Sequence, residues 1–176
     1  MANPSVAMDT PLNAVEINIP SDIVFERVVR ESALVVAKHL GFSEDRVADL
    51  QLAVSEAVTN AIEHGNHSDL HVKVGVKFLM TAEKLAVQVT DKGQWHAAQA
   101  VLQATPTKWD LEDRLDHDLT RGMGIFLIQK LVDDVELHSD EQGTQFTMWF
   151  NLDKGLNNVG NVNIELQGPE KIDIFS

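Results

Sequence analysis

SEAVTNAIEHG, residues Ser55 to Gly65, is the stretch that decides how this chain folds. It closes a run that Ser43 can cap and that carries Val47, Leu50, Val54, Ala57, Val58, Ala61 and Ile62 at helical spacing up to Gly65. On that helix Glu56 and Asn60 lie about 40° apart around the axis, and His64 continues the same line. Taken alone, such a ridge reads as a solvated helix face, because Glu and Asn are ordinary there. The neighbours read otherwise. Ala53, Val54, Ala57, Val58, Ala61 and Ile62 crowd both sides and leave a narrow polar stripe on a helix that is otherwise buriable.

Working outward, AVEINI (Ala14 to Ile19) alternates and ends at Pro20, which predicts an edge strand. Ser21 is a candidate cap for a first helix carrying Ile23, Val24, Val28, Leu34, Val35 and Leu40, with Gly41 placed to stop it. Downstream, Leu70, Val72, Val74, Val76, Phe78 and Met80 occupy every second position, and Leu85, Val87 and Val89 repeat the pattern after a turn at Thr81 to Glu83. That is a hairpin with one buried face, leading into Asp91. Residues 92 to 120 lose periodicity over a length unusual for an idle connection, so a mobile lid is expected there. Arg121 to Gly124 opens a third helix, and strands follow near Val135 to His138 and Thr144 to Leu152. The order strand, helix, helix, two strands, helix, two strands suits an α+β fold, a two-layer sandwich with helices on one face of a mostly antiparallel sheet. A Rossmann sheet does not fit. One domain over residues 12–152 is expected, with a tail at 1–11 and an extension at 153–176.

Composition narrows the function classes. The chain has 176 residues, 44% of them hydrophobic, which suffices for one sizeable core. It has no cysteine, so disulfides, thiolate metal sites and a cysteine nucleophile are excluded. No stretch approaches the roughly 20 apolar residues of a membrane span, and the beginning lacks a signal core, so a cytoplasmic location without membrane attachment is expected. A formal charge of −13 opposes direct nucleic-acid binding. The same charge opposes an anionic nucleotide unless a cation or a helix N-terminus offsets it.

The remaining candidate residues are weak singly. Asp91-Lys92-Gly93 ends a strand, where a carboxylate can accept a hydrogen bond from a ligand amino group and glycine admits the ligand close to the backbone, though taken alone a plain turn explains it better. Arg121-Gly122-Met123-Gly124 stands at a helix start, where free N–H groups favour phosphate, though an ordinary helix N-terminus would look the same. Gly143-Thr144 reads as a hairpin turn with one more hydroxyl. Neither GxGxxG nor GxxxxGK[ST] occurs. His64, His67 and His71 suggest a metal site only faintly, because Gly65 to Asp69 reads as a turn between helix and strand, and no nucleophile turn surrounds Ser55, which argues against a triad with His64 and Asp91.

Their order along the chain carries more than any one of them. ExxxNxxxHG (Glu56, Asn60, His64, Gly65), DxG (Asp91, Gly93), RGMG (Arg121 to Gly124) and GT (Gly143, Thr144) resemble the boxes of the GHKL, or Bergerat-fold, ATPases. Within that superfamily SEAVTNAIEHG and GMGIFLIQKLVDDVEL (Gly122 to Leu137) look like the anti-sigma factor serine/threonine kinases of bacterial partner-switching pathways. The resemblance spans about residues 12–152. It implies ATP and Mg²⁺ as cofactors, Glu56 as catalytic base, Asn60 as magnesium ligand, and His64 and Gly65 as part of the nucleotide box. It further implies Asp91 as the adenine-recognising carboxylate with Gly93 beside it, Arg121, Gly122 and Gly124 facing the phosphates, and Thr144 near the adenine. The implied activity is ATP-dependent phosphorylation of an anti-anti-sigma antagonist protein, alternating with sequestration of a sigma factor, and the family precedent implies a homodimer. The chain departs from the family after DxG, where relatives carry a glycine or proline and then Phe-Asp, and this chain has Gln94-Trp95-His96. Two other readings stay open: a nucleotide-dependent protein-binding switch without kinase activity, and the catalytic domain of a histidine kinase.

Overall fold

A computed structural model describes residues 13–93 and 120–152, and within 120–123 the backbone alone. The tail at 1–11, most of the expected lid and the extension from 153 lie outside these residues. The elements follow the expected order: β1 (Asn13–Pro20), α1 (Glu26–His39), α2 (Glu44–Asn60), β2 (Lys73–Met80), β3 (Lys84–Asp91), α3 (Thr120–Leu131), β4 (Asp134–Asp140) and β5 (Gly143–Asn151). The five strands form one sheet in the order β1-β2-β3-β5-β4, with every neighbouring pair antiparallel. This is an α+β fold.

The core is a set of rungs. Strand side chains alternate, so Val74, Val76, Phe78 and Met80 of β2 fall on one face with Leu85, Val87 and Val89 of β3 and Phe146, Met148 and Phe150 of β5, all buried. The register sets Phe78 opposite Val87, and Val87 opposite Met148. The helices cover that face, with α2 packed against both α1 and α3. From α2 come Val47, Leu50, Ala53, Val54, Ala57 and Val58, all buried. Edge strand β4 is mostly polar and exposed on alternate residues, and edge strand β1 is exposed from Asn13 to Glu16.

Local chemistry fixes the helix ends. Ser43 Oγ accepts from the Arg46 amide at 3.3 Å, as its place before α2 predicts. Gly41 has φ 74°, its amide donates to the Lys38 carbonyl and the Phe42 amide donates to Ala37, the paired bonds of a Schellman stop. The start of α1 differs from expectation. Asp22, not Ser21, caps there, its Oδ1 accepting from the Val24 amide at 3.0 Å over a short 3₁₀ turn, Ile23–Phe25. Ser21 is fully buried instead and donates its hydroxyl proton to the Val72 carbonyl at 2.7 Å. Strand β2 also starts later than the alternation from Leu70 suggests, because its partner β1 ends at Pro20, opposite Lys73. Leu70 is left exposed.

One staple ties the helical layer together. The Arg46 guanidinium donates to the Leu131 carbonyl at 2.9 Å, pairs with Asp133, and lies 5.0 Å from the Phe150 ring centre. Asp133 also accepts from the Asn151 amide at 2.7 Å. The start of α2, the end of α3 and the end of β5 are thereby held to one another. Phe78 sits at the centre of the core, so Phe78→Ala is expected to cost about 3–5 kcal/mol in urea denaturation. Lys77→Ala, which removes only the exposed pair with Glu16, should cost less than about 1 kcal/mol in the same measurement.

Candidate functional site

Two groups of side chains meet above one end of the sheet, and α2 reaches both. Glu56 is half-buried and Asn60 is 9% exposed, so the stripe seen in the sequence is covered rather than solvated. What covers it is α3. A β-carbon on Gly124 would stand 2.9 Å from Glu56 Oε2 and 3.2 Å from Asn60 Nδ2, so the start of α3 rests on these two side chains with only a glycine between. Asn60 Nδ2 is buried without a hydrogen-bond partner among the described residues, a costly state that a ligand acceptor would relieve. Residues 120–123, the first described residues of α3, lie within about one turn of that same point.

The helix does not simply end at Asn60. Ala61–Gly65 forms a single π-turn, its wider ring closed by the Asn66 amide donating to the Ala61 carbonyl at 2.8 Å. The extra residue per turn brings Gly65 over the end of β3. There it touches Asp91 so closely that a β-carbon on Gly65 would fall 2.3 Å from Asp91 Cγ. Gly93 in turn lies against Gly65, and Gly143, at φ 138°, lies against the Asp91 carbonyl; β-carbons there would approach 2.3 Å and 2.1 Å. Three glycines thus pack three backbone segments around one residue, Asp91.

Asp91 is 2% exposed, and its Oδ1 accepts from the Gly93 amide at 2.7 Å. The sheet register places Thr144 directly opposite Asp91 and Ser139 opposite Thr144. Thr144, also buried, donates its hydroxyl proton to the Gly93 carbonyl at 2.8 Å, and the Ser139 hydroxyl, 2.9 Å away, donates to Thr144. In the described residues, then, the Thr144 hydroxyl braces the turn after Asp91.

The sequence-selected residues therefore fall into two clusters, Glu56 with Asn60 and Gly124, and Gly65 with Asp91, Gly93, Gly143 and Thr144. His64 lies in the π-turn between them, half-buried. Arg121 and Gly122 occupy the first turn of α3, where only their backbone is described. His64, His67 and His71 do not converge: among the described residues no three His, Asp or Glu side chains are grouped to hold a metal. One residue of the site was missed. Asn66, next to Gly65, is 5% exposed; its Oδ1 accepts from the Lys92 amide at 2.8 Å while Nδ2 donates to Ser21 Oγ at 2.9 Å and to the Lys73 carbonyl at 3.2 Å. A polar residue directly after His-Gly was the available signal, and it read as an ordinary turn.

Known proteins share this fold. The model of the histidine kinase-like ATPase domain matches residues 19–150. The serine-protein kinase RsbW of Listeria monocytogenes serovar 1/2a is 32% identical over 146 residues, covering 76% of this chain and 85% of its own length. The serine-protein kinase RsbW of Bacillus cereus strain Q1 is 26% identical over 147 residues, covering 84% and 91%. Among solved structures, the RsbU and RsbW domains of Rv1364c from Mycobacterium tuberculosis align over 81% of this chain at 22% identity with a TM-score of 0.55, and the chain spans 33% of that longer one. A chain of the SiaB-SiaC complex from Pseudomonas aeruginosa aligns over 81% of this chain and 89% of its own length, at 12% identity and a TM-score of 0.56. At those identities the two solved structures speak for the fold.

The packing around Asp91 makes a direct prediction. Gly65→Ala must push the Asp91 carboxylate or the π-turn aside and is expected to destabilise the chain by about 1–3 kcal/mol in chemical denaturation. Gly75→Ala, where the nearest atom to the new carbon is 3.4 Å away, should be neutral or slightly stabilising. Equal effects at the two positions would contradict the close packing.

Proposed function

The chain belongs to the histidine kinase-like ATPase family, among its serine-protein kinases, and we propose that it transfers the terminal phosphoryl group of ATP to a serine or threonine of an antagonist protein and, in its other complex, sequesters a sigma factor. The observation that carries the assignment of its site is the contact of Gly124 with Glu56 and Asn60: a potential base and an amide ligand meet α3 about one turn after its first described residue, and a helix start there would favour phosphate.

In this reading ATP lies along α2, its base at Asp91 and its phosphates against the start of α3. Asp91 accepts a hydrogen bond from the exocyclic amino group of adenine, and Gly65 and Gly93, whose β-carbon positions are filled by Asp91 and by the Gly65 backbone, keep that carboxylate closely packed. The amides at the start of α3, with Gly122, Gly124 and Arg121, receive the phosphates and offset part of the chain's −13 charge. Asn60 would hold Mg²⁺ through its amide oxygen, and its unpartnered Nδ2 fits a neighbouring phosphate oxygen as acceptor. When bound, the ion neutralises charge building on the phosphate oxygens. Glu56, one helical turn before Asn60, accepts the proton of the attacking hydroxyl as the oxygen–phosphorus bond forms and the bond to ADP breaks. Positioning and charge neutralisation supply most of the acceleration in transfers of this kind.

The antagonist, the sigma factor and a homodimer are the partners this reading assigns. The sequence departure at Gln94-Trp95-His96 favours one competing reading, a nucleotide-dependent switch that binds partners without transferring phosphate. Single-turnover transfer from labelled ATP to a cognate antagonist separates the two. The wild type is expected to phosphorylate the antagonist, and Glu56→Gln to slow transfer by about 10²-fold or more while binding ATP normally. Asn60→Ala should lose the magnesium-dependent part of ATP affinity. Undiminished transfer by Glu56→Gln would remove Glu56 from the mechanism, and a wild type that holds ATP without transfer would leave the switch.

A further inference from the structure

We propose that Asn66 is a positioning residue for nucleotide recognition: through the Lys92 amide it holds the Asp91–Gly93 turn in the shape that receives the base. The inference rests on the reading of Asp91 as the partner of adenine.

The Asn66 side chain spends both amide protons and one bond to its oxygen inside the protein. Its oxygen accepts from Lys92, just after β3; its two amide protons go to the Lys73 carbonyl, at the start of β2, and to Ser21 Oγ, just after β1. Ser21 continues the chain to the Val72 carbonyl at 2.7 Å. One side chain thus joins the ends of three strands to the end of the π-turn. Its own backbone is placed by the bond from its amide to the Ala61 carbonyl. The two residues after it, His67 and Ser68, are left-handed at φ 51° and 56°, a costly reversal for residues with a β-carbon, which persists only where its surroundings hold it.

The consequence for Asp91 follows from the amides on either side of the turn. The Lys92 amide is fixed by Asn66 and the Gly93 amide by Asp91 Oδ1, so successive peptide planes, and with them the direction of the carboxylate, are set from outside and inside the turn. Removing Asn66 frees the outer plane, and the turn can slide against Gly65, on which Asp91 packs. The phosphate end depends on different contacts, those of Glu56 and Asn60 with Gly124. Loss of Asn66 therefore falls on affinity for the base and on the choice of base, and spares the transfer step once the site is full.

The test uses the whole chain and equilibrium titrations with ATP and GTP in Mg²⁺, together with thermal midpoints and single-turnover transfer at saturating ATP. Asn66→Ala is expected to weaken ATP about ten-fold or more and GTP less than about three-fold, collapsing the preference, with saturated transfer within about two-fold of wild type. Asn66→Asp keeps an acceptor for the Lys92 amide while losing both donated bonds, and should hold ATP affinity within about three-fold despite lower stability. Ser21→Ala, at the far end of the network, should lower the midpoint and leave the preference for ATP intact. Wild-type affinity and preference in Asn66→Ala would overturn the proposal and leave the adenine assignment standing. So would a preference that falls in all three variants in step with the thermal midpoint, since Asn66 would then serve folding alone. A wild type that binds ATP and GTP equally would overturn the assignment of Asp91 and the proposal with it.

Discussion

Three backbone segments meet at Asp91 with no room for a β-carbon between them, and the rest of the site depends on that closeness. Gly65 arrives from the end of a helix, Gly93 from the end of β3 and Gly143 from the start of β5. For Gly65 to arrive at all, α2 must overrun its α-helical course by one π-turn, and for Gly143 to arrive, β5 must pair with β3 in the register that sets Thr144 opposite Asp91. A buried carboxylate is expensive unless it is hydrogen-bonded. Here the Gly93 amide meets that need, and Thr144 and Asn66 hold the turn that supplies the amide.

The central helix serves packing and chemistry on different sides. Val54, Ala57 and Val58 are buried in the core, whereas Glu56 and Asn60 meet the start of α3. Because α3 is pinned at its far end by Arg46, through the Leu131 carbonyl, and touches the polar stripe at its near end through Gly124, its N-terminal amides have a fixed place relative to Glu56. That geometry suits phosphoryl transfer, where holding groups still contributes more than new covalent chemistry. In the proposed reading the start of α3 would also receive an anionic nucleotide in a chain of strongly negative charge, as a local exception to the overall field.

Periodicity made the fold legible. Alternation in Val74 to Met80 and in Leu85 to Val89 named the buried face, and the helical spacing of Val47 to Ile62 named the central helix. Glycine marks close approaches at Gly65, Gly93 and Gly124, but the sequence could not say what each one admits: the Asp91 side chain at Gly65, the Gly65 backbone rather than a ligand at Gly93, and the Glu56 and Asn60 side chains at Gly124. What escaped were contacts between residues far apart in the chain. Ser21 looked like a cap because capping is local, yet its partners, Asn66 and Val72, lie 45 and 51 residues on. Arg46 gave no sign of its partner Asp133, 87 residues away. Asn66 read as a turn residue because nothing local distinguishes a buried amide from a solvated one, and the π-turn left no mark on the spacing of apolar residues before it.

The central claim is that one nucleotide spans both clusters, its base at Asp91 and its phosphates between Asn60 and the start of α3. A crystal structure of the chain with Mg²⁺ and a non-hydrolysable ATP analogue tests this most directly. The account predicts the adenine amino nitrogen about 3 Å from the Asp91 carboxylate, and the triphosphate at the N-terminal amides of α3 with the Asn60 amide oxygen on the metal. An analogue bound elsewhere, or with its base turned away from Asp91, would contradict it.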